Sequence, residues 1–170
     1  MRRLTLIRHA NAEWKDASIA DFDRPLNKRG LGEAQTIGKL LLDNELVPEL
    51  LITSAARRTL QTAEILARML SLPARCVKSA EQLYLARAEI IVALAQSTGP
   101  KVQHLAIVGH NPGISELARL LAPYGAMTSE LSTASACTLT FAPQSWADIA
   151  PPATRCVQYE PPTKLFNLFS

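Results

Sequence analysis

Short apolar runs and longer amphipathic stretches alternate along this chain. The run Leu4-Thr5-Leu6-Ile7 stops at the charged pair Arg8-His9, and Leu105-Ala106-Ile107-Val108-Gly109 stops at His110. A third run, Leu50-Leu51-Ile52-Thr53, opens into Ser54-Ala55-Ala56-Arg57-Arg58. Brief continuous apolar runs bounded by polar residues read as buried strands. The spacing predicts a helix over 27–44, with Asn27 as its cap and Ile37, Leu40 and Leu41 on one face. A strand over 47–53 follows. Ser54 is the cap candidate of a second helix, 54–70, with Leu60, Ala63, Leu66 and Leu70 inward. Pro73 stops that helix before a short strand at 75–78. A helix over 88–96 ends before Gly99-Pro100, and a strand over 105–109 comes next. Asn111-Pro112-Gly113 turns into a helix reaching about Leu121, closed by Pro123 and Gly125. Residues 136–141 and 155–159 are β-like, separated by a loop holding Pro143, Pro151 and Pro152. Residues 11–26 form a polar, charged loop. This alternation predicts an α/β fold, a three-layer sandwich with helices on both faces of a mainly parallel sheet. The 170 residues suit a single domain spanning 1–170.

In open α/β sheets ligands bind at the carboxyl edge of the strands. Two of the three histidines, His9 and His110, end predicted strands there, beside several arginines. The third, His104, precedes its strand and is expected in an exposed loop. Guanidiniums hold phosphoryl oxygens in forked geometry, and an imidazole can attack phosphorus. The set therefore points to phosphoryl chemistry.

Composition narrows the alternatives. Apolar residues make up 48% of the chain, as in soluble globular proteins, and the net charge of +3 is mild. Aromatics are sparse and do not alternate with basic runs, which argues against a nucleic-acid surface. No apolar stretch is long enough to cross a bilayer, and no signal-peptide pattern precedes the first strand, so neither membrane nor export is expected. Cys76, Cys137 and Cys156 are odd in number and widely spaced, which suits reduced thiols in a cytoplasmic protein. The chain lacks the spacing of a zinc site, a P-loop or a dinucleotide-binding loop, so no metal or cofactor is expected. Nothing in the pattern assigns an oligomeric state. The apolar tail 164–169 is expected to dock on the domain's own core.

The segments Leu6-Ile7-Arg8-His9-Ala10, Ser54-Ala55-Ala56-Arg57-Arg58-Thr59-Leu60-Gln61-Thr62-Ala63-Glu64 and Val108-Gly109-His110-Asn111 together resemble the histidine phosphatase superfamily, of phosphoglycerate-mutase-like fold. Asp23-Arg24-Pro25-Leu26-Asn27-Lys28-Arg29-Gly30 resembles its short, SixA-type branch of phosphohistidine phosphatases. The resemblance runs from the first strand to His110 and is loose in the C-terminal third. Ala10 stands where the best-known signature has glycine. The resemblance implies that His9 is a nucleophile forming a phosphohistidine intermediate and that Arg8, Arg24 and Arg58 clamp the phosphate. Spacing alone does not choose between Arg57 and Arg58. The resemblance chooses Arg58 and leaves Arg57 facing solvent. His110 would donate to a phosphoryl oxygen as charge redistributes, and Asn111 would line the substrate or shape the turn. An alkoxide leaving group would need an acid, for which Glu81, Glu89 and Glu13 are candidates by position only. The expected partner is a phosphorylated protein carrying phosphohistidine at an open site. The alternatives are a small phosphorylated metabolite or, in a protein that no longer turns over, mere binding of phosphohistidine.

Overall fold

In the computed structural model, residues 1–127, 129–143 and 145–161 are described. Six strands form one sheet: β1 (Arg2–Arg8), β2 (Leu50–Ser54), β3 (Val77–Ala80), β4 (His104–Gly109), β5 (Ala136–Phe141) and β6 (Arg155–Tyr159). Four helices accompany them: α1 (Lys28–Asp43), α2 (Arg57–Met69), α3 (Ala88–Gln96) and α4 (Gly113–Leu121). The strand order is β3-β2-β4-β1-β5-β6. The pairs β1–β4, β2–β4 and β2–β3 are parallel, whereas β5 is antiparallel to β1 and β6 to β5. The sheet is thus parallel where the chain crosses over through helices and antiparallel at one edge.

Side chains alternate across a strand with period two. Leu4 and Leu6 therefore share one face with Ile107 and Leu139 and pack against Ile91 of α3 and Leu117 of α4. Ile7 and Val108 point the other way, toward Ile37 and Leu41 of α1 and Ala63 and Leu66 of α2. The α/β/α sandwich follows.

Two close approaches fix helices near the carboxyl edge. A Cβ on Gly30, in the first turn of α1, would lie 1.9 Å from the Asn11 carbonyl. A Cβ on Gly113, the first residue of α4, would lie 1.9 Å from the Ala86 carbonyl. Asn27 caps α1 as predicted, its Oδ1 accepting from the Gly30 amide at 2.9 Å. Its Nδ2 donates to Asn11 Oδ1 at 2.6 Å, joining the helix start to the loop that follows His9.

The structure corrects several readings. Ser54 does not cap α2; it ends β2 fully buried, and Ala56 is the residue before the helix. Strand pairing carries the chain one residue further, and the Ser54 hydroxyl turns to His110 instead. His104 is not in an exposed loop. It opens β4, buried, with Nε2 2.8 Å from Thr5 Oγ1, itself 2.9 Å from Thr138 Oγ1. β2 begins at Leu50 rather than 47, and a 3₁₀ turn at Ala74–Cys76 delays β3 to Val77. Within the proline-bearing loop, Trp146 folds into the core and its indole N–H donates to the Val102 carbonyl at 2.7 Å. Cys137 and Cys156 are free thiols, distant in sequence but adjacent across β5 and β6, with sulfurs 3.3 Å apart. The tail 164–169 lies outside the described residues.

Candidate active site

Adjacent parallel strands in register deliver the two imidazoles side by side. Arg8 pairs with Gly109, the His9 amide donates to the Gly109 carbonyl at 3.1 Å, and the rings of His9 and His110 stand 5.3 Å apart. β2 ends on the other side of β4, so Ser54 reaches His110 Nε2 at 2.8 Å. The chain then enters α2, whose second residue, Arg58, is 2% exposed. Arg57 faces solvent. Of the two, Arg58 is the one that the helix turns toward the histidines.

Arg58 lies against both imidazoles. Its Nε donates toward His9 Nε2 at 3.4 Å, and its Nη2 toward His110 Nδ1 at 3.2 Å. Those two N–H groups form one planar edge of the guanidinium. His9 Nδ1 is 2.8 Å from the Ala10 carbonyl. A carbonyl only accepts, so Nδ1 carries the hydrogen and Nε2 keeps its lone pair toward Arg58. Burial, helped by the charges of Arg58, Arg8 and Arg24, pushes the His9 pKa down to about 4. Burial, with His9 and Arg58 nearby, pushes His110 to about 3. Both rings are neutral at pH 7, as a nucleophilic imidazole must be.

The other arginines are held from outside. Arg8 Nη1 donates to the Leu131 carbonyl at 3.0 Å. Arg24 Nη1 donates to the Glu13 carbonyl at 3.1 Å, and its Nε and Nη2 reach Asp21 Oδ1 at 3.0 and 2.7 Å. The motif residues Gln61 and Thr62 of α2 fasten this edge: Gln61 Oε1 accepts from the Leu26 amide at 2.7 Å and Thr62 Oγ1 from the Ala10 amide at 3.1 Å.

Asp21 and Tyr84 belong to the site and were not read from the sequence. Asp21 sits in a 3₁₀ turn, Asp21–Asp23. Its Oδ2 accepts from Arg58 Nη2 at 3.1 Å and from the Tyr84 hydroxyl at 2.6 Å, and its carbonyl accepts from Arg58 Nη1 at 2.5 Å. The Tyr84 bond, with those from the two arginines, holds the Asp21 carboxyl far below the usual carboxylate range. The Tyr84 ring stands edge-on to His110, 5.5 Å between centroids, and to Phe22, 5.0 Å. An acid three residues before Arg24 was a signal in the sequence; a tyrosine after the third strand was not.

Asn111 shapes its turn. Its Nδ2 donates to the Leu131 carbonyl at 3.0 Å, and its Oδ1 accepts from the Ser115 hydroxyl at 2.6 Å. Of the three glutamates, Glu13 is engaged by the amides of Trp14 and Lys15. Glu89 lines a groove with Glu116 and Arg119 of α4. Glu81 directly follows β3, whose last residue, Ala80, pairs with Ser54, so its backbone stands at the catalytic edge. Among the described residues no group of His, Cys, Asp or Glu could hold a metal ion.

Two neutral imidazoles, the buried Arg58 and the half-buried Arg8 and Arg24 on the carboxyl edge of such a sheet define a phosphoryl-transfer enzyme with a histidine at its centre. The chain belongs to the histidine phosphatase superfamily, and within it to the SixA-type branch. The family profile of the histidine phosphatase superfamily (branch 1) matches residues 4–83. A SixA structure from Agrobacterium tumefaciens is 31% identical, with 82% of this chain and 92% of that chain aligned at a TM-score of 0.73. A protein histidine phosphatase SixA bound to tungstate shares the fold at a TM-score of 0.78 and 23% identity, covering 94% of this chain and 97% of the other. An uncharacterised protein of Mycobacterium tuberculosis is 32% identical over 92% of this chain and 99% of its own length. A 2,3-bisphosphoglycerate-dependent phosphoglycerate mutase of Leifsonia xyli is 40% identical, over 35% of this chain and 25% of its length.

Proposed function

We propose that this phosphatase removes the phosphoryl group from phosphohistidine on a partner protein, through a phosphoenzyme at His9. The observation that carries the reading is the His9 Nδ1–Ala10 carbonyl bond, which fixes the tautomer and turns the Nε2 lone pair toward Arg58. In the first step His9 Nε2 bonds to phosphorus as the substrate's P–N bond breaks, and the departing imidazole keeps a proton taken from solvent. In the second, water bonds to phosphorus, the His9 N–P bond breaks, and phosphate leaves with the water's proton released. Arg8, Arg24 and Arg58 hold the phosphoryl oxygens through both steps; such chemistry needs positioning and charge stabilisation above all. His110 becomes a donor when phosphoryl oxygens take the Arg58 N–H groups that face the two imidazoles in the free enzyme. The Ser54 hydroxyl can then donate to Nε2, leaving the hydrogen on Nδ1, which faces the phosphoryl position.

The leaving group favours this substrate. Imidazole departs readily once protonated, whereas an alkoxide needs a positioned acid. Asp21 is bound by two arginines and a tyrosine, and Glu13 by two amides, so neither is suited to supply a proton. The tungstate-bound SixA is a protein histidine phosphatase, which supports the same reading by likeness of fold. The three free thiols fit a reducing compartment such as the cytoplasm.

The placement of Glu81 at the catalytic edge favours a second reading, a phosphomonoesterase acting on a metabolite with Glu81 as acid. The deciding experiment compares kcat/KM for a phosphohistidine protein with that for 3-phosphoglycerate and sugar phosphates, using wild type and Glu81→Gln. The first reading expects the phosphohistidine protein to lead and Glu81→Gln to leave that activity unchanged. Efficient sugar-phosphate hydrolysis lost in Glu81→Gln would establish the second. A protein that binds phosphohistidine without any turnover would overturn both. Activity is expected to survive thorough chelation, the guanidiniums supplying the positive charge. Loss with EDTA, restored only by one metal, would refute the mechanism.

A further inference from the structure

We infer that Asp21 is the positioning residue of the phosphoryl clamp: it grips the outer edge of the Arg58 guanidinium and thereby aims the other edge at the two histidines. The inference rests on the reading of Arg58 as a phosphoryl-binding arginine.

A guanidinium has two bidentate edges, one formed by Nε with Nη2 and the other by Nη1 with Nη2. In Arg58 the first faces His9 and His110, where a phosphoryl group would lie. Among the described residues the second is filled by Asp21, through its carbonyl to Nη1 and its carboxylate to Nη2. Arg58 therefore cannot pivot about its long side chain without breaking contacts on its outer side. The same carboxylate, by its other oxygen, takes Nε and Nη2 of Arg24. One side chain thus sets the spacing of two arginines that come from different parts of the chain. Tyr84 completes the device, its hydroxyl fixing Asp21 Oδ2 while its ring stands against His110.

Asp21 also sets the charge of the site. Among the groups that act most strongly on His9 and His110, Arg8, Arg24 and Arg58 are cationic and Asp21 is the one carboxylate. Asp21 therefore offsets part of the positive charge that three guanidiniums bring to a phosphoryl group. Without the carboxylate the site would hold inorganic oxyanions more strongly than its task requires, at the step where product phosphate must leave.

The experiment measures kcat, KM and tungstate inhibition for wild type, Asp21→Ala, Asp21→Asn and Arg58→Ala, with thermal unfolding alongside. A misplacement near 1 Å at a reacting centre costs on the order of a hundredfold in rate. Asp21→Ala is therefore expected to lower kcat about tenfold to a hundredfold, with KM moved much less. Asp21→Asn keeps an oxygen for Arg58 and Tyr84 but loses the charge and turns an NH2 toward Arg24. It is expected to recover part of the kcat lost in Asp21→Ala and to bind tungstate several-fold more tightly, a change that a merely structural role would not produce. Wild-type kcat in Asp21→Ala would overturn the inference, as would equal losses in both Asp21 variants with unchanged tungstate inhibition. Wild-type turnover in Arg58→Ala would instead overturn the reading of the site on which it rests.

Discussion

In the proposed mechanism His9 uses its two nitrogens for different tasks, one to hold the ring and one to react. Its pKa near 4 means that it is unprotonated across the neutral range. In proton NMR of the free enzyme, the His9 ring should titrate near pH 4; a midpoint near 6.5 would show that burial and the arginines do not depress it. His9→Ala should abolish turnover while tungstate still binds. Residual turnover close to wild type would remove His9 as nucleophile, and acid-labile, base-stable labelling of wild type by substrate checks the same point. Arg58→Ala should lower kcat/KM by on the order of a hundredfold or more, as for other preorganised charge donors. Arg57→Ala should change it little, since Arg57 is exposed. At this scale the sequence was legible wherever strand ends and motif register place a side chain, as for His9, His110 and Arg58. It was not legible where loops bring side chains together. Asp21 and Tyr84 are 63 positions apart and meet only because the loop after β1 and the turn after β3 fold over the same edge.

Elements reach this edge by backbone contact as much as by side chains. Gly30→Ala would drive a methyl group into the Asn11 carbonyl, two residues beyond His9, so α1 or that loop must shift. Inserting bulk against rigid packing costs about 1–3 kcal/mol, and this substitution should reach the upper end and lower kcat as well. Chemical denaturation with steady-state kinetics tests both effects. A fully stable, fully active Gly30→Ala would show that the contact yields freely. Asn27→Ala removes only a cap and should cost about 1 kcal/mol. Helix periods and strand runs were readable because each element carries its own apolar face. Ser54 and His104 were misread because their partners lie on other strands. A serine before a helix reads as a cap until a histidine on the neighbouring strand claims its hydroxyl. A histidine at a strand start reads as exposed until threonines on β1 and β5 continue the chain of hydrogen bonds.

The molecule as a whole carries three histidines whose folded pKa values, about 4, 4 and 3, lie below the usual 6.5. Between those values the unfolded chain binds more protons than the folded one. Stability is therefore complete above about pH 6.5 and declines as pH falls toward 4, each histidine contributing up to about 1.4 kcal/mol per pH unit. Urea unfolding at pH 7 and pH 5 should show this loss, and His104→Gln should make it shallower without touching His9 or His110. A pH-independent midpoint would contradict the burial of these rings. Fold class and sheet edge were legible at this scale from the alternation of runs, but the antiparallel pairing of β5 and β6 was not, because a period-two run does not state its direction.

The carbonyl of Leu131 has a consequence beyond its own bonds. It receives Arg8 Nη1 and Asn111 Nδ2 together, while the Leu131 amide donates to Ser115. Every residue has a carbonyl, so these hydrogen bonds are written in chain path, and the buried Leu131 side chain only anchors that path in the core. A segment that serves through its path alone leaves no signature in a residue pattern. The recognisable motifs accordingly stop near His110, although the machinery extends past them. A replacement loop designed for this stretch must bring a main-chain oxygen to the same point, keep an amide on Ser115 and keep an apolar side chain in the core where Leu131 sits, and its remaining positions can carry new contacts for a different substrate.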